Sequence, residues 1–202
     1  MPELFLATNN QGKQHEILAL LGDLNIKLIT PASLGLKLDP EESGQTYREN
    51  AAIKARAFAA ASGLLTLADD SGLEVDALNG FPGVHSARIA PTVEERRAAL
   101  IARLAGKPRP WTARFRCVAA LAAPLNDAHP HEPQIVFTEG ICEGEIIPTA
   151  RGVGGFGYDP IFQLAGRPET MAELTLQEKN RLSHRARAVL AARPIIIEML
   201  WG

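Results

Sequence analysis

The sequence predicts an α/β chain, and three observations carry that prediction. A compact apolar run, Leu4-Phe5-Leu6-Ala7, leads through a short polar loop into Ile17, Leu18 and Leu21 at helical spacing, a strand, loop and helix start. Thr-x-x-Glu capping boxes at Thr46, Thr92 and Thr175 each open a helical stretch. Residues 113–123 and 134–147 read as two long strands, and an antiparallel pair is their natural arrangement across a polar, proline-bearing connection.

With 202 residues and 46% apolar side chains, the chain is sized for one domain over residues 1–202 with a real core. A formal net charge of −2 supplies no overall positive field for nucleic acid. Cys117 and Cys142 lack metal or redox spacing and read as buried thiols of a reducing compartment, with one disulfide as the alternative. The start, Met1 to Ala7, has neither the basic residues nor the apolar length of a signal peptide, and no segment approaches a membrane span. The expectation is a cytoplasmic protein that engages neither membrane nor nucleic acid.

The loop Thr8-Asn9-Asn10-Gln11-Gly12-Lys13 sits between strand and helix, where backbone N–H groups and the helix dipole favour an anion. It is not a Walker loop, because Ala7 and Gln14 occupy the places of the first glycine and the Ser/Thr. Residues 25–30 read as a second strand. Residues 31–45, with Pro31, Gly35, Pro40 and Gly44, read as a loop that carries Glu41 and Glu42 toward the next helix. That helix runs from the Thr46 cap to Ser62 and stops at Gly63. Ala51, Ala55, Phe58 and Ser62 form one of its faces, while Asn50 and Lys54 lie one turn apart on another.

Next, Leu64-Leu65-Thr66-Leu67-Ala68 builds a strand that runs into Asp69-Asp70-Ser71-Gly72. Carboxylates beside a core need a compensating charge, and a pair of hard oxygen ligands suits Mg²⁺ held together with substrate phosphates. Strand neighbours point to opposite faces. Both acids therefore reach one ion only if the chain turns, and Ser71-Gly72 reads as that turn. Two solvated loop aspartates are the alternative. Leu73, Val75 and Ala77 then alternate with acids as a half-exposed strand, Asn79-Gly80 marks a turn, and Val93, Arg97, Leu100, Ile101 and Leu104 trace the Thr92 helix. His129 and His131 have no partner at metal-site spacing.

Gly152, Gly154 and Gly157 spell G-x-G-x-x-G, but Pro160 follows and no helix opens, so a dinucleotide fingerprint is rejected. The better reading is a glycine loop that presents Phe156 and Tyr158 to a flat ligand, with Asp159 as an acceptor. A hinge with two packed aromatics is the alternative. The helix after Thr175 buries Leu182, Ala186, Val189 and Leu190 and carries Lys179, His184 and Arg185, either donors for a nucleotide or a solvated basic face. Pro194 ends or kinks it, and residues 195–200 form a last apolar element.

Thr8-x-Asn10-x-x-Lys13, Glu42, Glu49-Asn50 with Lys54, Ala68 to Leu73, Gly154 to Pro160 and Ser183-His184-Arg185 occur in this order. Together they closely resemble the inosine/xanthosine triphosphate pyrophosphatases, which clear non-standard purine nucleotides. The resemblance spans nearly the whole chain. Asn9, where many members carry glycine, and Pro194 are its departures. It implies a single α/β domain with a long curved mixed sheet, flanking helical lobes around a central cleft, and a homodimer. It further implies that Thr8, Asn9, Asn10, Gln11, Gly12 and Lys13 hold the triphosphate. Glu42 and Asp70, with Asp69 close by, look like Mg²⁺ ligands. Asp70 is similar to the acceptor of the attacking water's proton, and Lys54 to a phosphate-side cation. Ser71, Phe156, Gly157, Tyr158, Asp159, Lys179, His184 and Arg185 look like nucleoside contacts. The implied reaction turns ITP, dITP or XTP into the monophosphate and pyrophosphate. Competing readings are a Maf-like pyrophosphatase for modified or pyrimidine nucleotides, and a non-catalytic nucleotide- or RNA-binding module.

Overall fold

The structure, a computed structural model, describes residues 1–125 and 133–202, so His129 and His131 lie outside the described residues. One mixed sheet organises the chain. Its strands are β1 (Glu3–Leu6), β2 (Lys27–Ile29), β3 (Leu65–Val75), β4 (Trp111–Ala122), β5 (Ile135–Ile146) and β6 (Phe162–Leu164), in the spatial order β2-β1-β3-β4-β5-β6. β1 runs parallel to β2 and β3, and the remaining pairs are antiparallel. Around it pack α1 (Gln11–Leu21), α2 (Tyr47–Ser62), α3 (Val93–Leu104), α4 (Leu176–Leu182) and α5 (His184–Trp201). This is the α/β fold with a long mixed sheet that the sequence and its resemblance lead one to expect.

Side-chain alternation decides the layers. Leu4, Leu6, Leu65, Leu67, Cys117, Ala119 and Leu121 share a core with Ile17, Leu20 and Leu21 of α1 and Val189, Ala192 and Ile196 of α5. The intervening Phe5, Ala7, Ala68, Val118, Ala120 and Ala122 pack instead on Ala51, Ala55, Phe58 and Ala59 of α2. A strand covered on both faces has no polar side, which is why β1 and the first half of β3 read as unbroken apolar runs. A third core gathers Leu73, Val75, Trp111, Phe115 and Phe162 with Leu100 and Leu104 of α3. The capping boxes form as expected; at α2, Thr46 Oγ1 accepts from the Glu49 N–H at 3.1 Å and Glu49 Oε2 from the Thr46 N–H at 3.1 Å.

Four expectations are corrected. Ser71-Gly72 is not a turn, since β3 continues through it to Val75 with Gly72 paired to Arg116. Glycine stands there for space: a Cβ would meet the Gly83 carbonyl, Ser86 Oγ at 2.7 Å and Tyr47 Oη at 2.8 Å. The basic helix is two helices, because Ser183 (φ −68°, ψ 156°) leaves helical geometry and its Oγ accepts from the Ala186 N–H to cap α5. Pro194 does not end α5, which runs on to Trp201 as the last apolar element. Leu190, expected on the buried stripe, falls on the exposed side of α5.

Candidate active site

β1 pairs with β3 only over Leu65–Leu67, so past Leu6 the edge of β3 facing β1 loses its partner. Further along, Ser86 Oγ accepts from the Leu73 N–H at 2.9 Å and covers that edge again. Between lies a cleft of about 410 Å³ at the carboxyl end of β1. That is where ligands bind in open α/β sheets, and the volume suits a small molecule. The cleft wall brings together the predicted residues Thr8, Asn9, Asn10, Lys13, Glu42, Lys54, Asp70, Ser71, Phe156, Gly157, Tyr158, Asp159, Lys179, His184 and Arg185. Gln11 and Gly12 sit in the first turn of α1, whose N-cap Asn10 accepts from the Lys13 N–H at 3.0 Å. Asp69 lies behind the wall, 2% exposed.

Because β3 does not turn, its two acids serve different layers. Asp70 turns to α2, where its Oδ2 accepts from Asn50 Nδ2 at 3.2 Å and its Oδ1 lies 3.4 Å from Lys54 Nζ. Lys54 Nζ is also 2.6 Å from Glu42 Oε1, so Glu42 and Asp70 converge on one ammonium. Burial works against the charge on Lys54, but Asp70, Asp69 and Glu42 outweigh it and keep the amine protonated. Burial pushes the Asp70 carboxyl above its ordinary range against the pull of Lys54 and Lys13, with the Glu42 charge adding to the rise. Two convergent carboxylates on a cleft wall are the donors Mg²⁺ takes beside phosphate oxygens, so these residues fit that ion. Among the described residues no group of three or more His, Cys, Asp or Glu gathers to hold a metal.

Asp69 faces α1 and α5. Its Oδ2 lies 2.9 Å from Lys13 Nζ and 3.2 Å from Arg185 Nε. Burial would raise its carboxyl, but Lys13, Arg185 and Lys54 hold it well below the usual range. With the turn gone, the reason for placing Asp69 and Asp70 on one ion goes too. Asp69 stands as counter-ion to Lys13 and Arg185.

From Asp69 a chain of alternating charge runs beneath the cleft. Arg185 Nη1 donates to Glu16 Oε2 at 2.5 Å and Nη2 to Ser71 Oγ at 2.9 Å. Glu16 Oε1 meets Lys179 Nζ at 2.6 Å, and Lys179 meets Asp159 Oδ2 at 2.6 Å. Asp159 Oδ2 in turn accepts from the Phe156 N–H at 2.8 Å, which ties the glycine loop to the network. Glu16 is the functional residue that motif reading passes over. Its signal is position: it precedes Leu20 by one turn on the stripe that α1 buries, an acid on a core face.

The Phe156 ring lies 4.9 Å from Lys179 Nζ and 5.5 Å from Arg185 Cζ, a cation–π cluster. It also abuts Gly12, where a Cβ would stand 2.6 Å from Phe156 Cδ1. Tyr158 is a strut rather than an open aromatic: its buried hydroxyl donates to the Ser86 carbonyl at 2.8 Å, and burial pushes the phenol up to about 12. His184 stacks on Phe115 with centroids 4.7 Å apart and rings 14° from parallel. Burial, then the charges of Arg185 and Lys179, depress it far below the ordinary histidine range, so the ring is neutral at pH 7. Its buried Nδ1 has no partner among the described residues.

These features define a class: an α/β protein with one charge-lined cleft at the open edge of a mixed sheet, floored by a buried ion-pair network. The sequence model of the Ham1 family matches residues 4–195. The chain belongs to the Ham1 family. A "dITP/XTP pyrophosphatase" of Desulforamulus reducens is 43% identical over 198 residues, covering 96% of this chain and 95% of the relative. One of Symbiobacterium thermophilum is 46% identical over 204 residues, covering 96% of each. The solved structure of a HAM1 protein from Coxiella burnetii superposes with a TM-score of 0.83 at 42% identity, over 98% of this chain and 100% of that one.

Proposed function

We propose that this chain hydrolyses the non-standard purine nucleoside triphosphates ITP, dITP and XTP to the monophosphate and pyrophosphate, removing them from the nucleotide pool. The names of its relatives support this substrate class. The observation that carries the proposal is the coexistence in one cleft of an acid–cation cluster (Glu42, Lys54, Asp70) and an aromatic–cation stack (Phe156, Lys179, Arg185). The first suits phosphates, the second a flat base.

Lys13, Lys54 and the start of α1 neutralise phosphate oxygens. Glu42 and Asp70 are the residues that would hold Mg²⁺, which when bound supplies charge stabilisation at the phosphates. Asp70 is the residue that would accept the proton of the attacking water. Arg185 spends one N–H of each nitrogen on Asp69, Glu16 and Ser71, which leaves one N–H on Nη1 and one on Nη2 beside its face. Recognition of a 6-keto oxygen falls to Lys179, His184, Arg185 and backbone N–H groups of the glycine loop. A 6-amino group would set donor against donor, and sites built this way discriminate by about 10⁴ or more.

Pyrophosphate release is expected from ITP, dITP and XTP with Mg²⁺, and is expected to stop with a chelator. Equal turnover of ATP and GTP, or phosphate as the product, would overturn the proposal. Pyrimidine triphosphates in the same panel test the Maf-like alternative. We also place the protein in the cytoplasm as a homodimer, tested by light scattering. The buried free thiols Cys117 and Cys142 suit a reducing compartment.

A further inference from the structure

Glu42 has no helix or strand to hold it. Residues 36–45 form an irregular strap between β2 and α2 that walls the cleft with Leu38, Asp39, Pro40 and Glu42. At one end of the strap, the Gly44 N–H donates to Asn50 Oδ1 at 2.8 Å and the Gln45 N–H to Glu49 Oε2 at 2.6 Å. At the other, the Leu36 N–H donates to the Pro31 carbonyl at 2.9 Å, Leu36 and Leu38 pack against the α2 core, and Asn9 Nδ2 reaches the Leu38 carbonyl at 3.5 Å, the outer limit of a hydrogen bond. Arg88 supplies the middle tie. Its Nη1 donates to the Glu42 carbonyl at 2.9 Å, its Nη2 donates to the Val84 carbonyl at 3.1 Å, and that Nη2 lies 3.8 Å from Glu42 Oε2.

The ground on which Arg88 stands is firm. Ser86 Oγ donates to the Gly83 carbonyl at 2.6 Å and accepts from the Leu73 N–H of β3, while Tyr158 braces the Ser86 carbonyl. The rigid fork of an arginine thus links the anchored 83–86 turn to the stretch between the strap's two held ends, where the main chain's own bond is that of the Ser43 N–H to the Glu41 carbonyl at 3.0 Å. On the reading of Glu42 as a cation ligand, we propose that Arg88 is its positioning residue, fixing the Glu42 main chain so that the carboxylate is presented to a divalent cation. Lys54 is the other partner of Glu42, but it is also the cation placed to turn to phosphate. The grip of Arg88 on the backbone carbonyl survives that exchange and leaves less ordering to be done on binding.

Arg88→Met keeps the stem and removes the donors, while Arg88→Lys restores a single donor head. Hydrogen exchange in protein free of metal and nucleotide is expected to quicken about tenfold at the hydrogen-bonded amides of Ser43 and Gly44 in Arg88→Met. The Mg²⁺ midpoint for ITP hydrolysis is expected to rise about tenfold, with kcat at saturating Mg²⁺ held within about twofold. Arg88→Lys should fall between in both. Unchanged exchange overturns the proposal, as does faster exchange with an unmoved Mg²⁺ midpoint or a fall in kcat alone. If the wild type releases pyrophosphate from no purine triphosphate, the functional proposal falls separately, and the exchange comparison still decides whether Arg88 orders the strap.

Discussion

Replacing Glu16 by alanine is expected to cost far more than losing a surface acid. Glu16 is 4% exposed and is the only carboxylate among the described residues that contacts both Arg185 (1% exposed) and Lys179 (4% exposed). Asp69 and Asp159 would each remain for one cation, but the middle of the network would hold two buried positive charges with the acid between them removed. Breaking a buried pair in this way costs about 3–5 kcal/mol. At about 2–4 °C per kcal/mol for a chain of this size, the melting temperature should fall by roughly 6–20 °C. Differential scanning calorimetry measures it. A loss below about 1 kcal/mol would refute the reasoning, because it would mean that water already screens the network. The acid limb gives a second reading of the same residue. Burial alone would raise the Glu16 carboxyl, but Arg185 and Lys179 hold it below its ordinary value of 4.5. The unfolded chain then binds the proton more readily than the folded one. The stabilisation is therefore present above pH 4.5 and is lost as pH falls through the folded value. Asp69, also depressed, adds in the same sense. Glu16→Gln should flatten this acid slope in urea titrations taken from pH 7 downward.

Asp70→Asn should lower ITP turnover by about 10²–10⁴ while nucleotide binding, followed by calorimetry, is largely kept. Gly12→Ala should raise KM for ITP by about tenfold, because its Cβ would stand 2.6 Å from Phe156 Cδ1 and displace the ring, which offsets the helical alanine's gain of about 0.5–1 kcal/mol in a melt. Gly140→Ala should yield little soluble protein, because the new Cβ would strike the His184 carbonyl and stand 2.6 Å from the Ala188 nitrogen, costing about 3 kcal/mol or more as α5 is forced off β5.

Much of the fold is legible in the residues because local and global preferences agree. The Thr46 box, the alanine face of α2 and the Gly63 stop each fall where the structure puts them, and β4 and β5 pair antiparallel as their length suggests. Gly72 misleads because a glycine standing for close approach looks, in sequence, like one standing for a bend. Ser183 hides a helix break, since the apolar stripe around it keeps nearly the right period on both sides. At the site, the acids and the loop from Thr8 to Lys13 are readable as chemistry. Glu16, Ser86 and Arg88 are not, because each acts through a partner between 13 and 169 residues away in sequence. No local pattern records such a pairing.

The straight course of β3 past Asp69 and Asp70 also limits how this cleft can vary. Adding or deleting one residue between Thr66 and Ala68 would rotate every later side chain to the opposite surface. The acid meant for α2 would then look toward Arg185, and its neighbour toward Lys54. Every site residue would still be present, but with its allegiance exchanged. Drift in length must therefore enter this protein elsewhere, in segments such as residues 22–26 between α1 and β2, where an extra residue leaves the outlook of Asp70 untouched.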